Sequence, residues 1–197
     1  MDRNFSKYCE LFLEQNSKLN LISKNDEKFL KEKHIQDSLS IEKFFSSYNL
    51  KPDGLNLLDI GTGGGFPSLP LAIQYPNLNI TALDSIRKKI NAIEEIKCSM
   101  KLNNLTTICA RAETLNKKYD IITARAVSSL KKLLPYALPR LKKDGYFVAY
   151  KSIKAQEEIS DAQEILKKYY AKVDKIIPYE IKVEENFKRN LVIIRFC

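Results

Sequence analysis

The first fifty residues repeat apolar positions at helical spacing. Phe5, Tyr8, Leu11, Phe12, Gln15 and Leu19 fall on one face of a helix, with a single polar interruption. Asp26 is placed to cap a second helix carrying Phe29, Leu30 and Lys33. Ile35, Leu39 and residues 41–45 predict a third helical piece. Lys51-Pro52-Asp53-Gly54 then breaks the pattern. It sets a boundary between a helical extension, residues 1–50, and a domain spanning 51–197.

Beyond that break the period changes. Residues 55–60 are apolar except for Asn56, as in a strand covered on both faces. Further strands are predicted at 79–84, 105–110, 119–124, 145–150, 172–180 and 191–196. Helices are predicted at 67–74, 86–102, 129–141 and 154–170, the third kinked by Pro135 and Pro139. The last two strands leave no room for a crossover helix, so they should pair antiparallel. The first five, separated by helices, should form a doubly wound parallel sheet with helices on both faces. The expected fold is therefore α/β and Rossmann-like: seven strands, mostly parallel, an antiparallel last strand and an N-terminal helical extension. Ligands of such sheets bind beyond the carboxyl ends of the strands, near the switch in strand order.

Composition narrows the class. With 44% hydrophobic and 29% charged residues in 197, the chain can bury a core and stay soluble. No apolar run approaches the roughly 20 residues of a membrane span, and Met1 to Asn4 lead into no apolar leader segment. A cytoplasmic monomer is expected. Cys9, Cys98, Cys109 and Cys197 form no C-x-x-C pair, and His34 is the one histidine, so no metal site is expected. The net charge of +9 is uneven: residues 101–150 carry 10 basic and 3 acidic side chains, a local +7. Localised basic surface suits a polyanion, although a lysine-rich solvated face reads the same way.

The candidate chemistry follows the strands. After the first comes Asp59-Ile60-Gly61-Thr62-Gly63-Gly64-Gly65-Phe66-Pro67, holding four of the six glycines. Gly61, Gly63 and Gly65 permit tight turns and close approach to a ligand. The following helix would offer N-terminal amides to a carboxylate or phosphate. The spacing is G-x-G-x-G and lacks the third glycine of the dinucleotide fingerprint. Asp84 ends the second strand, where an acid accepts from both hydroxyls of a ribose. It could instead cap the next helix, unless Ser85 does so. Ala112 and Glu113 follow the third strand, beside the expected base, though Glu113 could equally be a surface residue. Arg125 ends the fourth, able to grip a carboxylate or phosphate, or to form a surface ion pair. Lys151 follows the fifth, and with Arg125, Lys131 and Lys132 would make a cationic rim. Phe66 and Tyr150 could stack on a flipped base, with core packing the alternative for Tyr150.

Taken together, Asn20-Leu21-Ile22-Ser23, Lys33-His34-Ile35-Gln36-Asp37-Ser38, the glycine loop ending in Phe66-Pro67, Leu83-Asp84-Ser85 and Thr123-Ala124-Arg125-Ala126 resemble the bacterial small-subunit rRNA guanine-N7 methyltransferase family, RsmG, also called glucose-inhibited division protein B. The resemblance runs from about residue 5 to the C-terminus. Lys33, Gly64 and Ser152 stand where that family usually has Arg, often Pro and usually Gly. It implies a class I methyltransferase that uses S-adenosylmethionine to methylate N7 of a guanine in 16S rRNA near the decoding centre. Its partner would be 16S rRNA or the small ribosomal subunit. Gly61, Phe66, Ala112, Glu113 and Arg125 would contact the cofactor; His34, Arg125, Lys131, Lys132 and Lys151 are RNA candidates. His34 could alternatively bond Asp37 or backbone and pin the helical cap to the sheet.

No catalytic side chain is expected. Guanine N7 has a free lone pair and no proton to lose, so orientation and desolvation would carry the reaction. The Asn/Asp-Pro-Pro-aromatic motif of base amino-methyltransferases is absent after the fourth strand, and no cysteine lies near it for covalent pyrimidine chemistry. Three rivals remain at this stage: a methyltransferase for another RNA, a small molecule or a protein; a cofactor-bound, non-catalytic RNA-binding or ribosome assembly factor; and an NAD-dependent oxidoreductase, which the glycine spacing disfavours.

Overall fold

The computed structural model describes residues 3–183 and 186–197. Met1 and Asp2, read above for a leader, lie outside the described residues. The amphipathic start forms α1 (Arg3–Leu19) with Tyr8 and Phe12 fully buried. The second helix, α2 (Lys24–Glu27), is capped by Ser23 and not by Asp26. The Ser23 hydroxyl accepts the Asp26 N–H, and the Asp26 carboxylate takes the Ser23 hydroxyl and Lys33 instead. The chain then widens into a π-helical stretch, Leu30–Gln36, before α3 (Asp37–Leu39) and α4 (Glu42–Ser47). Wide turns of this kind re-aim side chains and recur at functional sites. Here the turn carries His34 and leads into Asp37.

The alternating part follows: β1 (Asn56–Ile60), α5 (Ser68–Gln74), β2 (Asn79–Asp84), α6 (Arg87–Met100), β3 (Leu105–Cys109), β4 (Tyr119–Arg125), α7 (Leu130–Ala137), β5 (Leu141–Ser152), α8 (Ala155–Asp161), α9 (Gln163–Lys168), β6 (Ala171–Ile181) and β7 (Phe187–Phe196). Three details differ from the pattern. A single 3-10 turn, Ala112–Thr114, joins β3 to β4 where a helix was expected. Pro139 ends α7 in a 3-10 turn, Leu138–Arg140, so β5 starts four residues early. The helix expected over 154–170 breaks at Ala162 into α8 and α9.

The strands lie in the order β3-β2-β1-β4-β5-β7-β6. β1 to β5 are parallel, and β7 inserts antiparallel between β5 and β6. The switch point lies between β1 and β4. Successive residues alternate cleanly between faces. Leu57, Ile121, Val148, Leu191 and Ile193 enter one core; Leu58, Ile122, Phe147, Val192 and Ile194 enter the other. The second face is covered by α7, α8 and α9 through Leu133, Leu134, Ile159 and Leu166.

The first face is covered by α5 and α6 over one half only. The N-terminal helices complete it. Tyr150 Oη donates to the Ser38 carbonyl at 2.7 Å, Tyr48 Oη donates to Asp174 at 2.6 Å, and the Phe44 ring meets Tyr146 at 5.2 Å. α1 lies against α6, where Gln15 Nε2 donates to Glu95 at 2.8 Å. The residues before the sequence break therefore share one apolar core with the sheet.

Phe12 joins this layer to the glycine loop, its ring 5.9 Å from Tyr8 and 5.0 Å from Phe66. Phe12→Ala should lower unfolding free energy by about 3–5 kcal/mol, since a fully buried ring leaves a cavity that closes only in part. Urea denaturation checks this; a loss under about 1 kcal/mol would mean that the layer packs loosely.

Candidate functional site

The glycine loop is held from beneath. Asp59, fully buried at the end of β1, accepts from Ser68 Oγ at 2.7 Å and from Thr123 Oγ1 at 2.9 Å. It thereby links β1, β4 and the start of α5. Burial pushes its carboxyl up to about 6, against the pull of those hydroxyls. Gly61 has φ +69°, and a side chain there would run into Val127 at 2.7 Å. Gly65 has φ +93° and is sealed against Leu69, whose Cδ1 occupies the place of an added Cβ. Gly65 is therefore a packing position, away from the cavity wall. Several of the amides expected to face an anion at the start of the next helix are bonded locally. The N–H groups of Gly65 and Phe66 bond Thr62, that of Leu69 bonds Gly65, and α5 is only seven residues long.

Above the loop, at the carboxyl ends of β1 to β4, lies a cavity of about 780 Å3. Gly61, Gly63, Phe66, Asp84, Ala112, Glu113, Arg125 and His34 line it. Asp84 does not stand free. Its Oδ2 accepts from Gly63 N–H at 3.0 Å and its Oδ1 from Ile86 N–H at 2.9 Å, so it ties the glycine loop to the residue that precedes α6, a helix that neither Asp84 nor Ser85 caps through its side chain. Each oxygen keeps a second acceptor position. Leu21, Ile22, Ser23 and Asp26 close the cavity from the N-terminal side. Arg111 and Ala126, beside the strand-end residues already named, also border it, as do Lys89 and Tyr136, which were unanticipated because their positions depend on how α6 and α7 fold back over the sheet.

Arg125 organises one end. Its Nη1 lies 3.0 Å from Asp37 Oδ2 and donates to the His34 carbonyl at 3.1 Å; its Nη2 is 2.7 Å from His34 Nδ1. Asp37, 1% exposed, also accepts from Tyr179 Oη at 2.6 Å. The guanidinium lies over Phe66 at 5.2 Å, and the His34 ring is 4.9 Å from the same Phe66. Arg125 is thus neither an exposed ion pair nor an uncompensated cation. The His34 side chain does not bond Asp37; both side chains meet Arg125, which pins the helical cap to the sheet as the alternative reading allowed. Burial first, then the Arg125 charge, pull the imidazole down to about 4, opposed by Asp26 and helped by smaller contributions from Lys33 and Arg189. The ring is neutral at physiological pH. A guanidinium can only donate, so Nδ1 accepts and the ring proton sits on Nε2. That Nε2 is buried without a partner.

The expected cationic rim is largely absent. Lys151 lies inside β5, 7% exposed, with its ammonium on Glu158 at 2.8 Å and the Ser128 carbonyl at 2.7 Å. β5 runs to Ser152, so Lys151 is a strand residue and not a loop residue. Tyr150 is likewise core. Lys131 and Lys132 are exposed on the first turn of α7, outside the cavity wall. Of the remaining basic residues in 101–150, Lys101, Lys117 and Lys118 precede strands and Lys142 and Lys143 lie at the start of β5, at the end of the sheet opposite the cavity.

A family model described as GidB, rRNA small subunit methyltransferase G, matches residues 1–192. The chain is 39% identical over 199 residues to the ribosomal RNA small subunit methyltransferase G of a Thermoanaerobacter species, covering 98% of this chain and 80% of that protein. Among solved structures it is similar to TYW2 of M. jannaschii in complex with AdoMet, with TM-score 0.63 and 18% identity, covering 82% of this chain and 77% of that one. It is also similar to magnesium protoporphyrin IX methyltransferase of Synechocystis with bound SAM, with TM-score 0.62 and 16% identity, covering 82% and 79%. At these identities the two structures share the fold.

Asp37→Ala should cost about 3–5 kcal/mol, because it strands the Arg125 charge in a buried setting. Tyr179→Phe, which keeps the ion pair, should cost about 1 kcal/mol. Equal losses in urea denaturation would show that the ion pair does not hold this end of the site.

Proposed function

Because the chain belongs to the GidB family, rRNA small subunit methyltransferase G, we propose that it transfers a methyl group from S-adenosylmethionine to N7 of a guanine in 16S rRNA, near the decoding centre. The observation that carries this reading is the cavity over the switch point, floored by a glycine loop and bordered by an acid at the end of β2. Its volume suits a nucleoside cofactor with a base beside it. The residues fit such a ligand. An added Cβ at Gly63 meets nothing closer than 3.9 Å, which leaves that side of the loop open to close approach. One polar atom of the wall, His34 Nε2, has no partner of its own.

Asp84 would take the ribose hydroxyls on its remaining acceptor positions. Ala112 and Glu113 would border the adenine. Gly61, Gly63, Phe66 and Arg125 would hold the amino-acid end, while Gly65 shapes the loop. When bound, S-adenosylmethionine supplies an electrophilic methyl group on a sulfonium. Ile60, Leu83 and Phe66 give this part of the wall an apolar surface that excludes water from the transfer. The N7 lone pair accepts the methyl without releasing a proton, so no side chain has to act as a base, and the protein's contribution is orientation. Lys89, Arg111, Lys131 and Lys132 would meet phosphates around the mouth. Among the described residues no helix is long and apolar enough to cross a membrane. We read the protein as a cytoplasmic monomer acting on 16S rRNA or the small subunit.

Incubation with radiolabelled S-adenosylmethionine and unmodified small subunits or naked 16S rRNA, followed by aniline cleavage, tests the reaction. The expected result is label at one guanine, with chain scission there. Cofactor binding without transfer to either substrate would shift the function to another acceptor or to a non-catalytic role.

A further inference from the structure

We propose that His34 reads the target base: its Nε2–H donates to the carbonyl oxygen that guanine carries beside N7. The inference rests on the guanine-N7 reading above. His34 stands in the cavity wall, beside the ring of Phe66. Its tautomer is set from behind, because Arg125 Nη2 at 2.7 Å has only protons to give and Nδ1 must accept. The proton is then on Nε2, an atom hidden from solvent and bonded to nothing. A buried donor without an acceptor is costly, so a ligand atom that accepts there gains more than one meeting a hydrated group.

The charge balance chooses the acceptor. Arg125 is compensated by Asp37 at 3.0 Å, and that carboxylate is itself 1% exposed. The donor on His34 is a neutral N–H and brings no charge of its own to attract a carboxylate. A neutral carbonyl suits it. On the edge of a purine that exposes N7, guanine presents exactly such an oxygen, whereas adenine presents an amino donor. His34 Nε2–H would bond the first and oppose the second. It acts as a positioning residue with a specificity consequence, since a bond to the neighbouring oxygen fixes where N7 points.

The test pairs a base change with a side-chain change. The substrates are unmodified small-subunit rRNAs carrying guanine or 2-aminopurine at the target; 2-aminopurine keeps N7 and lacks the oxygen. Single-turnover rates are measured for wild type, His34→Phe and His34→Gln, with S-adenosylhomocysteine and methylthioadenosine affinities from calorimetry. On guanine RNA, His34→Phe should slow transfer roughly 10- to 100-fold, and His34→Gln, which keeps an N–H donor, should recover part of the loss. Wild type should slow comparably on 2-aminopurine RNA, and His34→Phe should slow little further there. Both cofactor affinities should hold. Wild type methylating both RNAs equally fast overturns the proposal without any variant. So do equal His34→Phe losses on the two RNAs. A fall in S-adenosylhomocysteine affinity that spares methylthioadenosine, which lacks the amino-acid tail, also overturns it and assigns His34 to the cofactor carboxylate. Failure of the parent reading shows separately, as no aniline-sensitive product from wild type on guanine RNA.

Discussion

Arg125 ends the central strand β4 as a nearly buried cation, and the fold meets that charge with Asp37 from the N-terminal layer. A guanidinium in such a place is tolerable only with a partner, so sheet and helical layer are held in one geometry. Tyr179 of β6 binds the other oxygen of Asp37 and draws the C-terminal strands into the same arrangement. One ion pair thus joins three parts of the chain that are remote in sequence. Its by-product is a neutral histidine whose remaining N–H has no partner.

A second constraint acts under the glycine loop. Asp59 cannot be solvated, and Ser68 and Thr123 supply its bonds. In the loop above, Thr62 N–H bonds the Leu83 carbonyl, Gly63 N–H bonds Asp84, and the N–H groups of Gly65 and Phe66 bond Thr62. The loop therefore presents shape more than charge to a ligand. Positive φ at Gly61, with Val127 packed where a side chain would start, makes that shape depend on glycine. Polar recognition is left to side chains at the rim: Asp84 at one strand end and the Arg125 cluster at another.

The order of strands and helices was readable because the central strands β1, β2, β4 and β5 carry apolar residues on both faces and the longer helices an apolar stripe. The resemblance in the glycine loop and around His34 pointed to the cavity that the fold forms. What was not readable was non-local. Asp37 and Tyr179 are 142 residues apart, and nothing local marks either as a partner of Arg125. Lys151 looked like a rim residue because β5 was ended at residue 150; two further residues in the strand turn it onto Glu158. Asp84 seemed free because Ser85 offered another cap, yet the backbone of Ile86 reaches the carboxylate first. The lysines of 101–150 were a different matter. Lys117 and Lys118 precede β4, and Lys142 and Lys143 stand where β5 begins, so their place at the far end of the sheet was already implicit in the strand order.

The central claim is that Arg125 and burial together fix His34 as a neutral imidazole with its proton on Nε2. The chain has a single histidine, so 15N-labelled histidine gives one imidazole signal set to follow by NMR from pH 5 to 8. The account predicts shifts of the neutral Nε2–H tautomer throughout, with protonation only on approach to about pH 4. A ring that titrates near its ordinary value of about 6.5, or one that carries its proton on Nδ1, would contradict the account.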